Sequence, residues 1–381
     1  SFCIITEQEV RLFIQKGSLN KEQEMALTMA GVVLDDYLNV YDYVKTLHVA
    51  SIWVNDQKTS YALMENIPNG VRLIKGMTPV AYTKCVKNEK EQENIRAAHL
   101  KDGVAMTKFM YWLKQNAGKV EMTEISIAEC VKGFRQAQKG FLEESFTTIA
   151  GYGPHGAIIH YSATAESNAK INPEGLLLVD SGGQYLEGTT DITRTFAMGP
   201  VTDEEKRHFT TVLKGNLRLG AVKFKEGCTG ENLDMVARQP LWEEGLDYNH
   251  GTGHGIGFVL NVHEVPARIN WKGRPGYGEN DPFKSGMIVS NEPGFYKEGA
   301  HGVRLENLIL CQEAEATEYG RFLNFETLTI VPFDLDAVDV TLLDSKEKQL
   351  LNDYHSRVYN ELSAYMTEEE LVWLKTATRA I

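Results

Sequence analysis

Four carboxylates and one imidazole stand in apolar, glycine-marked stretches in the second half of the chain. They are Asp180 in LLLVDSGG, Asp191 in TTDITRT, His254 in HGTGHGIG, Glu292 in SNEPGFY and Glu306 in VRLENL. Carboxylates are rarely buried unless they are paired or bound to a cation. Five such residues in strand-like or turn-like segments therefore predict one shared positive charge, which we interpret as a pair of divalent metal ions.

The types of these five ligands restrict the metal and the chemistry. Oxygen ligands favour manganese, magnesium or calcium, and a single imidazole shifts the preference toward manganese, cobalt, zinc or iron. Five side chains exceed the four ligands of a structural zinc site and suit two ions that share bridging carboxylates. Two ions about 3.5–4 Å apart can activate a water between them by lowering its pKa toward ~7. The pattern predicts metal-assisted hydrolysis.

Each of the five residues also has a purely structural interpretation. Asp180 could cap the turn at residues 181–183, Asp191 could pair with Arg194, His254 could be a core histidine, Glu292 could accept backbone N–H groups, and Glu306 could pair with Arg304. Taken together, these readings require five separate buried polar placements, each with its own desolvation cost. A metal site is the simpler account of the set.

Three further histidines stand close to these segments: His160 in AIIHY, His250 in HGTGHG and His263 in LNVHEVP. Histidine is the usual proton carrier near neutral pH, so all three are candidates for substrate binding or proton transfer. His250 could instead be a turn neighbour of His254. The H-G-T-G-H spacing is not the helical H-E-x-x-H zinc motif, because its glycines break helices and permit close backbone approach.

Composition limits the class of protein. The chain has 381 residues, enough for two domains, and a formal charge of -13, which disfavours nucleic acid as a partner because an acidic surface repels phosphates. Its five scattered cysteines form no C-x-x-C motif and predict a reducing compartment, the cytoplasm. No apolar run reaches ~18 residues, so we expect no membrane span, and FCII is too short for a signal peptide.

The hydrophobic patterns predict three regions. Residues 1–87 suggest a small α/β unit, with strands at FCIIT, RLFIQ, SIWVN and VRLI and helices over 20–34 and 40–47. Beyond the polar stretch KNEKEQE, two helices are expected, one ending near residue 118 and one from Thr123 toward residue 138.

From residue 145 the patterns favour strands and hairpins, at GAIIHY, LLLVDSGG, TTDITRTFAMG, MIVSNEPGFY and VRLENLIL. Helices are expected over 203–224, with a Thr202–Glu205 capping box, and over 232–244. Antiparallel strands with helices on one side indicate an α+β fold. Residues 332–381 form a helical tail whose apolar face must pack on the chain's own core or on a second chain.

The ordered set of five ligands resembles the metal signature of the pita-bread metallopeptidases, which include methionine aminopeptidase, prolidase and aminopeptidase P. The local sequence motifs are most similar to those of the Xaa-Pro aminopeptidase family. The motifs that carry this resemblance are AIIHY, LLLVDSGGQYLEGTTDITRT, HGTGHGIGFVLNVHE, SNEPGFY, GVRLENL, LLNDYHSRVYNELS and WLKTAT. The resemblance covers residues 88–381 well and the first domain more loosely. It implies a creatinase N-terminal-like domain at 1–87, a pita-bread catalytic domain at 88–331 and a helical extension at 332–381.

The resemblance also implies an activity, namely removal of the N-terminal residue from peptides with proline in second position by attack of a metal-bridged hydroxide. Two divalent ions, manganese before zinc or cobalt, would be held by Asp180, Asp191, His254, Glu292 and Glu306, with Asp191 and Glu306 shared. Glu292 would handle the proton of the attacking water, and His160, His250 and His263 would bind substrate, His160 and His263 also acting in catalysis. A cytoplasmic homodimer is expected.

Two positions depart from the family pattern. Val265 stands where glycine is usual after V-H-E, and His155 stands where many members carry asparagine; both changes could reshape the substrate pocket. Since longer relatives carry an additional N-terminal domain and this chain opens with Ser1, we expect that it lacks one domain. The alternatives are a prolidase acting on Xaa-Pro dipeptides, a non-catalytic pita-bread binding protein and a metal-free hydrolase of the creatinine-pathway type. Phosphoryl transfer is disfavoured because no glycine-rich phosphate loop is present.

Overall fold

The computed structural model describes residues 1–56, 58–272 and 281–381. The chain divides into two compact units, Ser1–Pro79 and Val80–Ile381. The domain boundaries expected after residues 87 and 331 stay predictions. No helix among the described residues is long and apolar enough to cross a membrane.

The described residues of the first unit form two small sheets and three helices. Its strands are β1 (Phe2–Ile5), β2 (Val10–Ile14), β3 (Val32–Asp36), β4 (Ser51–Val54) and β5 (Arg72–Lys75), and its helices are α1 (Lys21–Met29), α2 (Asn39–Lys45) and α3 (Tyr61–Glu65). The strand order is β1-β2-β3 in one sheet and β4-β5 in the other. Its core is built around Phe13, Val40 and Val44. All four predicted strands are confirmed.

The helix predicted over 20–34 is wrong in its second half. Helix α1 ends at Met29, and Gly31 follows in the left-handed region at φ +82°. Glycine adopts that conformation without steric cost and commonly terminates helices. The β-branched pair Val32 and Val33 then begins β3, which lies parallel to β2.

The second unit carries the long helices and the larger sheets. Helix α4 (Pro79–Cys85) leads into it, and its other helices are α5 (Glu89–Asn116), α6 (Glu124–Gln136), α7 (Asp203–Gly220), α8 (Gly230–Trp242), α9 (Ser345–Leu362) and α10 (Glu368–Ala377). Short 3₁₀ helices lie at Gly153–Ala157, Leu335–Ala337, Val340–Leu342 and Ser363–Tyr365. The capping box of Thr202 and Glu205 at the start of α7 is confirmed.

The strands of the second unit form antiparallel sheets. They are β6 (Phe141–Glu144), β7 (Ile149–Tyr152), β8 (Leu176–Ser181), β9 (Gly183–Tyr185), β10 (Gly188–Thr189), β11 (Ile192–Ala197), β12 (Lys223–Lys225), β13 (Gly253–Gly255), β14 (Glu264–Ile269), β15 (Ile288–Asn291), β16 (Gly294–Lys297), β17 (His301–Arg304), β18 (Asn307–Thr317) and β19 (Gly320–Thr327). The main sheet has the order β12-β19-β18-β15-β13-β14, and smaller sheets have the orders β11-β8-β7, β10-β9-β6 and β16-β17. Antiparallel sheets with packed helices confirm the predicted α+β fold.

Two predicted elements of this unit are wrong. GAIIHY is not a strand, because Gly153 at φ +53° and the following Pro154 start a 3₁₀ helix that continues into a turn at His160. The helix predicted to reach residue 224 ends at Gly220, since Lys223–Lys225 pairs with β19 instead. In both places hydrogen bonding to distant strands or turns overrides the local pattern.

The helical tail packs on the core of its own unit. Leu343 and Leu351 are buried in one hydrophobic cluster with residues of α7 and β17, and Val358, Leu362 and Leu374 are buried in a second cluster beside α5. The sequence left open whether the tail packs on the chain's own core or on a second chain. For these side chains, the structure shows packing on the chain's own core.

Candidate metal centre

All eight residues singled out in the sequence line one cleft of about 660 Å³ in the second unit. The lining includes Asp180, Asp191, Glu292, Glu306, His160, His250, His254 and His263. Apolar side chains such as Phe146, Ile149 and Ile159 form part of the same wall. Concave sites with a few convergent polar groups on an apolar wall are typical of binding and active sites.

Strand pairing brings the carboxylates together. Asp180, near the end of β8, lies directly opposite Thr193 of β11, and Asp191 stands immediately before β11. The backbone N–H of Glu306 donates to the carbonyl oxygen of Thr193 at 3.0 Å, which ties the β17–β18 junction to the same point. Residues from distant parts of the sequence thus meet because three antiparallel strands converge.

His254 and its neighbours form the tightest group of possible ligands. One donor atom each from Asp191, His254 and Glu306 lies within 4.8 Å of the others. His254 Nε2 is 3.5 Å from Asp191 Oδ2 and 3.5 Å from Glu292 Oε1, while its Nδ1 lies 3.1 Å from the carbonyl oxygen of Gly255. One ring nitrogen thus has a backbone partner, and the other is directed at carboxylates. Metal-binding histidines usually have this arrangement.

The remaining candidate, Asp180, has one satisfied and one unsatisfied oxygen. Its Oδ2 accepts a hydrogen bond from Arg304 Nη2 at 2.6 Å. Its Oδ1 is buried and has no hydrogen-bond partner. An unsatisfied buried carboxylate oxygen is costly, and a cation placed beside it would remove that cost. This donor set of carboxylate oxygens and one imidazole fits divalent ions.

Burial and the crowding of like charges shift the pKa values of several of these groups. Burial, with the nearby charges of Asp180 and Glu292, raises the pKa of Asp191, and burial with Asp191 raises the pKa of Glu306 well above its ordinary value. Burial raises the pKa of Glu292 to about 8. Burial, reinforced by His263, lowers the pKa of His254 to about 3, so the imidazole is neutral, as a metal ligand must be.

Arg304 connects several of these groups, a role that the sequence did not reveal. Besides Asp180, it donates from Nη1 to the Tyr296 hydroxyl at 2.8 Å and from Nε to Thr193 Oγ1 at 3.2 Å. Thr193 Oγ1 donates in turn to Glu306 Oε2 at 2.8 Å. The pair of Glu306 with Arg304 considered from the sequence is thus replaced by an ion pair of Arg304 with Asp180. The sequence feature that could have indicated this role is a basic residue, Arg304, in a strand two positions before Glu306.

His250 belongs to the same hydrogen-bond chain. Its Nδ1 lies 2.8 Å from the carbonyl oxygen of Gly251, which assigns the proton to Nδ1, so Nε2 accepts from the Tyr296 hydroxyl at 2.8 Å. Burial lowers the pKa of His250 to about 3. His250 is therefore a neutral acceptor on the cleft wall rather than an isolated turn residue.

His263 lies directly beside His254. The two ring centroids are 4.2 Å apart in a T-shaped arrangement, and burial lowers the pKa of His263. The next residue, Glu264, forms a buried ion pair with Lys87, whose side chain is fully buried and also donates to the carbonyl oxygen of Ile256 at 2.6 Å. Lys87, whose role was also missed from the sequence, thus holds Ile256 and Glu264 at the two ends of the segment that carries His263.

The turn that carries His160 is held by a buried carboxylate, Glu124 at the start of α6. Its Oε1 accepts from Tyr152 N at 2.9 Å and His155 Nδ1 at 2.8 Å, and its Oε2 accepts from the Tyr161 hydroxyl at 2.7 Å and Ala169 N at 2.9 Å. His155, one of the two residues that depart from the family pattern, thus helps to hold this turn through Glu124. The other departure, Val265, lines the cleft itself.

The comparisons with known proteins agree with this arrangement. The chain belongs to metallopeptidase family M24, whose model matches residues 93–313. Residues 321–381 match the C-terminal region of peptidase M24, and residues 1–91 match the creatinase/prolidase N-terminal domain. The predicted family is thereby confirmed.

Two proteins that are similar to this chain are named as P-type aminopeptidases. The chain is 38% identical, over 98% of its length, to a probable Xaa-Pro aminopeptidase P from Botryotinia fuckeliana, and it spans 59% of that protein. It is 42% identical, over 81% of its length, to aminopeptidase P2 from Arabidopsis thaliana, and it spans 44% of that protein. The chain thus spans only part of each of these two longer relatives.

Solved structures show the same fold. The crystal structure of X-prolyl aminopeptidase from Caenorhabditis elegans, described as a cytosolic enzyme with a di-nuclear active site, has a TM-score of 0.92 and 32% identity; the match covers all of this chain and 63% of that one. Xaa-Pro dipeptidase from Bacillus anthracis has a TM-score of 0.69 and 25% identity, with 87% and 88% of the two chains covered.

Proposed function

We propose that this chain carries the catalytic unit of a metal-dependent aminopeptidase that removes the N-terminal residue from peptides of the Xaa-Pro-Yaa type. One observation carries the proposal: five candidate ligands and three histidines from eight separate positions line a single cleft. The names of the relatives and of the C. elegans structure support the same substrate class. The activity would reside in Asp180, Asp191, His254, Glu292 and Glu306 as ligands, with His160, His250 and His263 on the substrate side.

We propose manganese as the resident metal, since carboxylate oxygens and one imidazole suit it, with zinc or cobalt as substitutes. When bound, two such ions supply an activated water and polarise the peptide carbonyl. Among the chain's own groups, Glu292 accepts a hydrogen bond from Ser290 Oγ at 3.0 Å and lies beside His254. This position suits it to take a proton from the attacking water.

The histidines define the substrate side of the cleft. The peptide bond that precedes proline has no N–H group, and its nitrogen belongs to a rigid ring. A site for this bond therefore distinguishes proline peptides from others by shape and by the hydrogen-bonding groups around the carbonyl. His263 beside His254 and His160 on its anchored turn would hold the peptide near the metals and assist proton transfer. His250, neutral and held by Tyr296, would bind substrate.

We also propose that the protein acts in the cytoplasm as a homodimer. The five cysteines are free, and the C. elegans relative is described as cytosolic. The homodimer is carried over from the family resemblance and requires a direct measurement of molecular mass in solution.

The test is a substrate comparison on manganese-loaded protein. Release of the first residue from Xaa-Pro-Yaa, with little cleavage of Xaa-Ala-Yaa and of the Xaa-Pro dipeptide, is the expected result. Cleavage of the dipeptide alone would assign prolidase activity, as in the B. anthracis relative's name. Two bound metals without cleavage of any of the three peptides would contradict the aminopeptidase proposal for this chain.

A further inference from the structure

A buried arginine of α8, Arg238, stands behind the segment that carries His250. Its side chain is 1% exposed, and its Nε donates to the carboxylate of Asp234, one helical turn earlier, whose side chain is fully buried. Its guanidinium also lies over the ring of Tyr248, with Cζ 3.8 Å from the ring centroid. A buried ion pair adds little to stability by itself, so the remaining hydrogen bonds of Arg238 indicate what it positions.

Those hydrogen bonds reach two backbone carbonyl groups beside the cleft. Arg238 Nη1 donates to the carbonyl oxygen of Tyr248 at 2.6 Å, and Nη2 donates to the carbonyl oxygen of His250 at 2.7 Å. The His250 side chain lines the cleft, where its Nε2 accepts from the Tyr296 hydroxyl at 2.8 Å. Because one planar guanidinium holds the backbone at both residues, it fixes the position from which the His250 imidazole projects into the cleft.

The other end of this segment is held by β15 and by Glu292, which follows that strand. The carbonyl oxygen of Thr252 accepts from Glu292 N at 2.8 Å, and His254 N donates to Ser290 Oγ at 2.9 Å. Ser290 Oγ donates in turn to the Glu292 carboxylate at 3.0 Å. The half of the segment that carries the candidate ligand His254 is therefore tied to β15, and the half that carries His250 is tied to α8.

We propose that Arg238 is a positioning residue for substrate binding, which acts through the backbone of His250. This proposal rests on the aminopeptidase activity proposed above, in which His250 binds substrate. Arg238→Lys keeps a positive charge beside Asp234, but one ammonium group cannot replace the three differently directed donors Nε, Nη1 and Nη2. We expect KM for Xaa-Pro-Yaa to rise roughly 10- to 100-fold, the effect of losing one hydrogen bond from a charged group. The kcat and the metal content should stay close to those of the wild type, because β15 holds the ligands.

The experiment measures kcat, KM and bound manganese in two variants. The first is Arg238→Lys, and the second combines Arg238→Gln with Asp234→Asn, which removes both charges and leaves no buried ion unpaired. Arg207→Lys is the matched control, because Arg207 forms an exposed ion pair with Glu244 and should keep the wild-type KM. A raised KM with unchanged metal content in both variants supports the proposal. A wild-type KM in either variant, or a loss of bound metal in parallel with activity, overturns it.

Amide hydrogen exchange separates this proposal from the activity on which it rests. If the wild type cleaves no Xaa-Pro-Yaa peptide, the proposed function fails, and exchange then tests the positioning role of Arg238 by itself. In Arg238→Lys the amides of residues 248–251 should exchange faster, while the amides of β15 keep their wild-type rates. Equal exchange of residues 248–251 in the wild type and the variant overturns the assignment. Faster exchange in both segments also overturns it, because that result would show a general loss of stability.

Discussion

Arg304 Nη2 lies 2.6 Å from Asp180 Oδ2 in an ion pair whose arginine is almost completely buried. The interaction joins β17 to β8 and fixes the carboxylate that has one further, unsatisfied oxygen. Burial alone would lower the pKa of Arg304, but Tyr296 and Asp180 outweigh it and raise that pKa well above its ordinary value, so the charge is permanent. Arg304 therefore orients one ligand through a salt bridge and another, Glu306, through Thr193.

Replacing Arg304 by lysine tests this positioning role. Lysine keeps the charge but lacks the planar fork that reaches Asp180, Tyr296 and Thr193 together. We expect metal affinity to fall by roughly 10- to 100-fold, the usual effect of removing a group that orients ligands. Metal content after dialysis against graded chelator measures it, with exposed Arg321→Lys as the matched control. Wild-type metal retention in Arg304→Lys would contradict the role.

Asp191→Asn tests the shared ligand. Asp191 lies within the tightest ligand group, and its neutral amide would supply neither the charge nor the second oxygen that bridging requires. We expect loss of bound metal and of most turnover. Elemental analysis and peptide cleavage on the same sample give both quantities. Near-wild-type turnover in this variant would contradict a two-metal site.

His263→Ala separates substrate binding from metal binding. The His263 ring stacks edge-on against His254 but belongs to a different segment, held by the buried pair of Lys87 and Glu264. We expect the variant to keep its metal while cleaving Xaa-Pro-Yaa roughly 10²–10⁴-fold more slowly, the usual range for a proton-transferring group. Loss of metal instead would make His263 a ligand.

Much of the candidate site was predictable because each ligand stands in a short, locally distinctive segment. Asp180 lies in the apolar strand β8, His254 lies between two glycines in β13, and Glu306 lies between β17 and β18. A polar residue buried in such a segment demands an explanation that local sequence can signal. Arg304 was identifiable only as a possible partner for Glu306. Its true partner, Asp180, is 124 residues away, and no periodicity encodes which of several buried acids an arginine reaches.

The fold was predictable where amphipathic periodicity and caps agree, as at Thr202 and Glu205 in α7. It was not predictable where long-range pairing competes with local pattern. Lys223–Lys225 leaves the helical pattern to join β19, and the apolar residues after Gly156 form a turn because the chain is bound to Glu124 rather than to a strand. Glu124 itself resembles an ordinary first-turn acid of a helix, so its four hydrogen bonds could not be inferred.

Glu124→Gln should disturb the turn that carries His160. A glutamine offers one acceptor oxygen where the carboxylate accepts from Tyr152 N, His155, Tyr161 and Ala169 N, so at least one buried donor loses its partner. We expect the free energy of unfolding to fall by about 1–3 kcal/mol. KM for Xaa-Pro-Yaa should rise with metal content unchanged.

His155→Asn is the matched variant for this prediction. Asparagine can also donate to Glu124, so we expect KM to stay close to that of the wild type. Urea unfolding and substrate titration of both variants measure the two effects. An unchanged KM in Glu124→Gln would show that the turn does not depend on this carboxylate.

His355 should make stability depend on pH. Its Nε2 accepts from Phe333 N at 3.1 Å in the buried tail, and burial, reinforced by Arg194, lowers its pKa to about 3. The unfolded chain binds a proton near pH 6.5 and the folded chain does not, so stability is lost as pH falls from 6.5 toward 3. Between pH 6.5 and 5 the resulting loss in the free energy of unfolding amounts to about 2 kcal/mol.

His355→Gln keeps an acceptor for Phe333 but cannot titrate, so its stability should decline less over this interval, as measured by urea unfolding at each pH. The exposed His48→Gln should follow the wild type; parallel curves for wild type and His355→Gln would contradict the assignment.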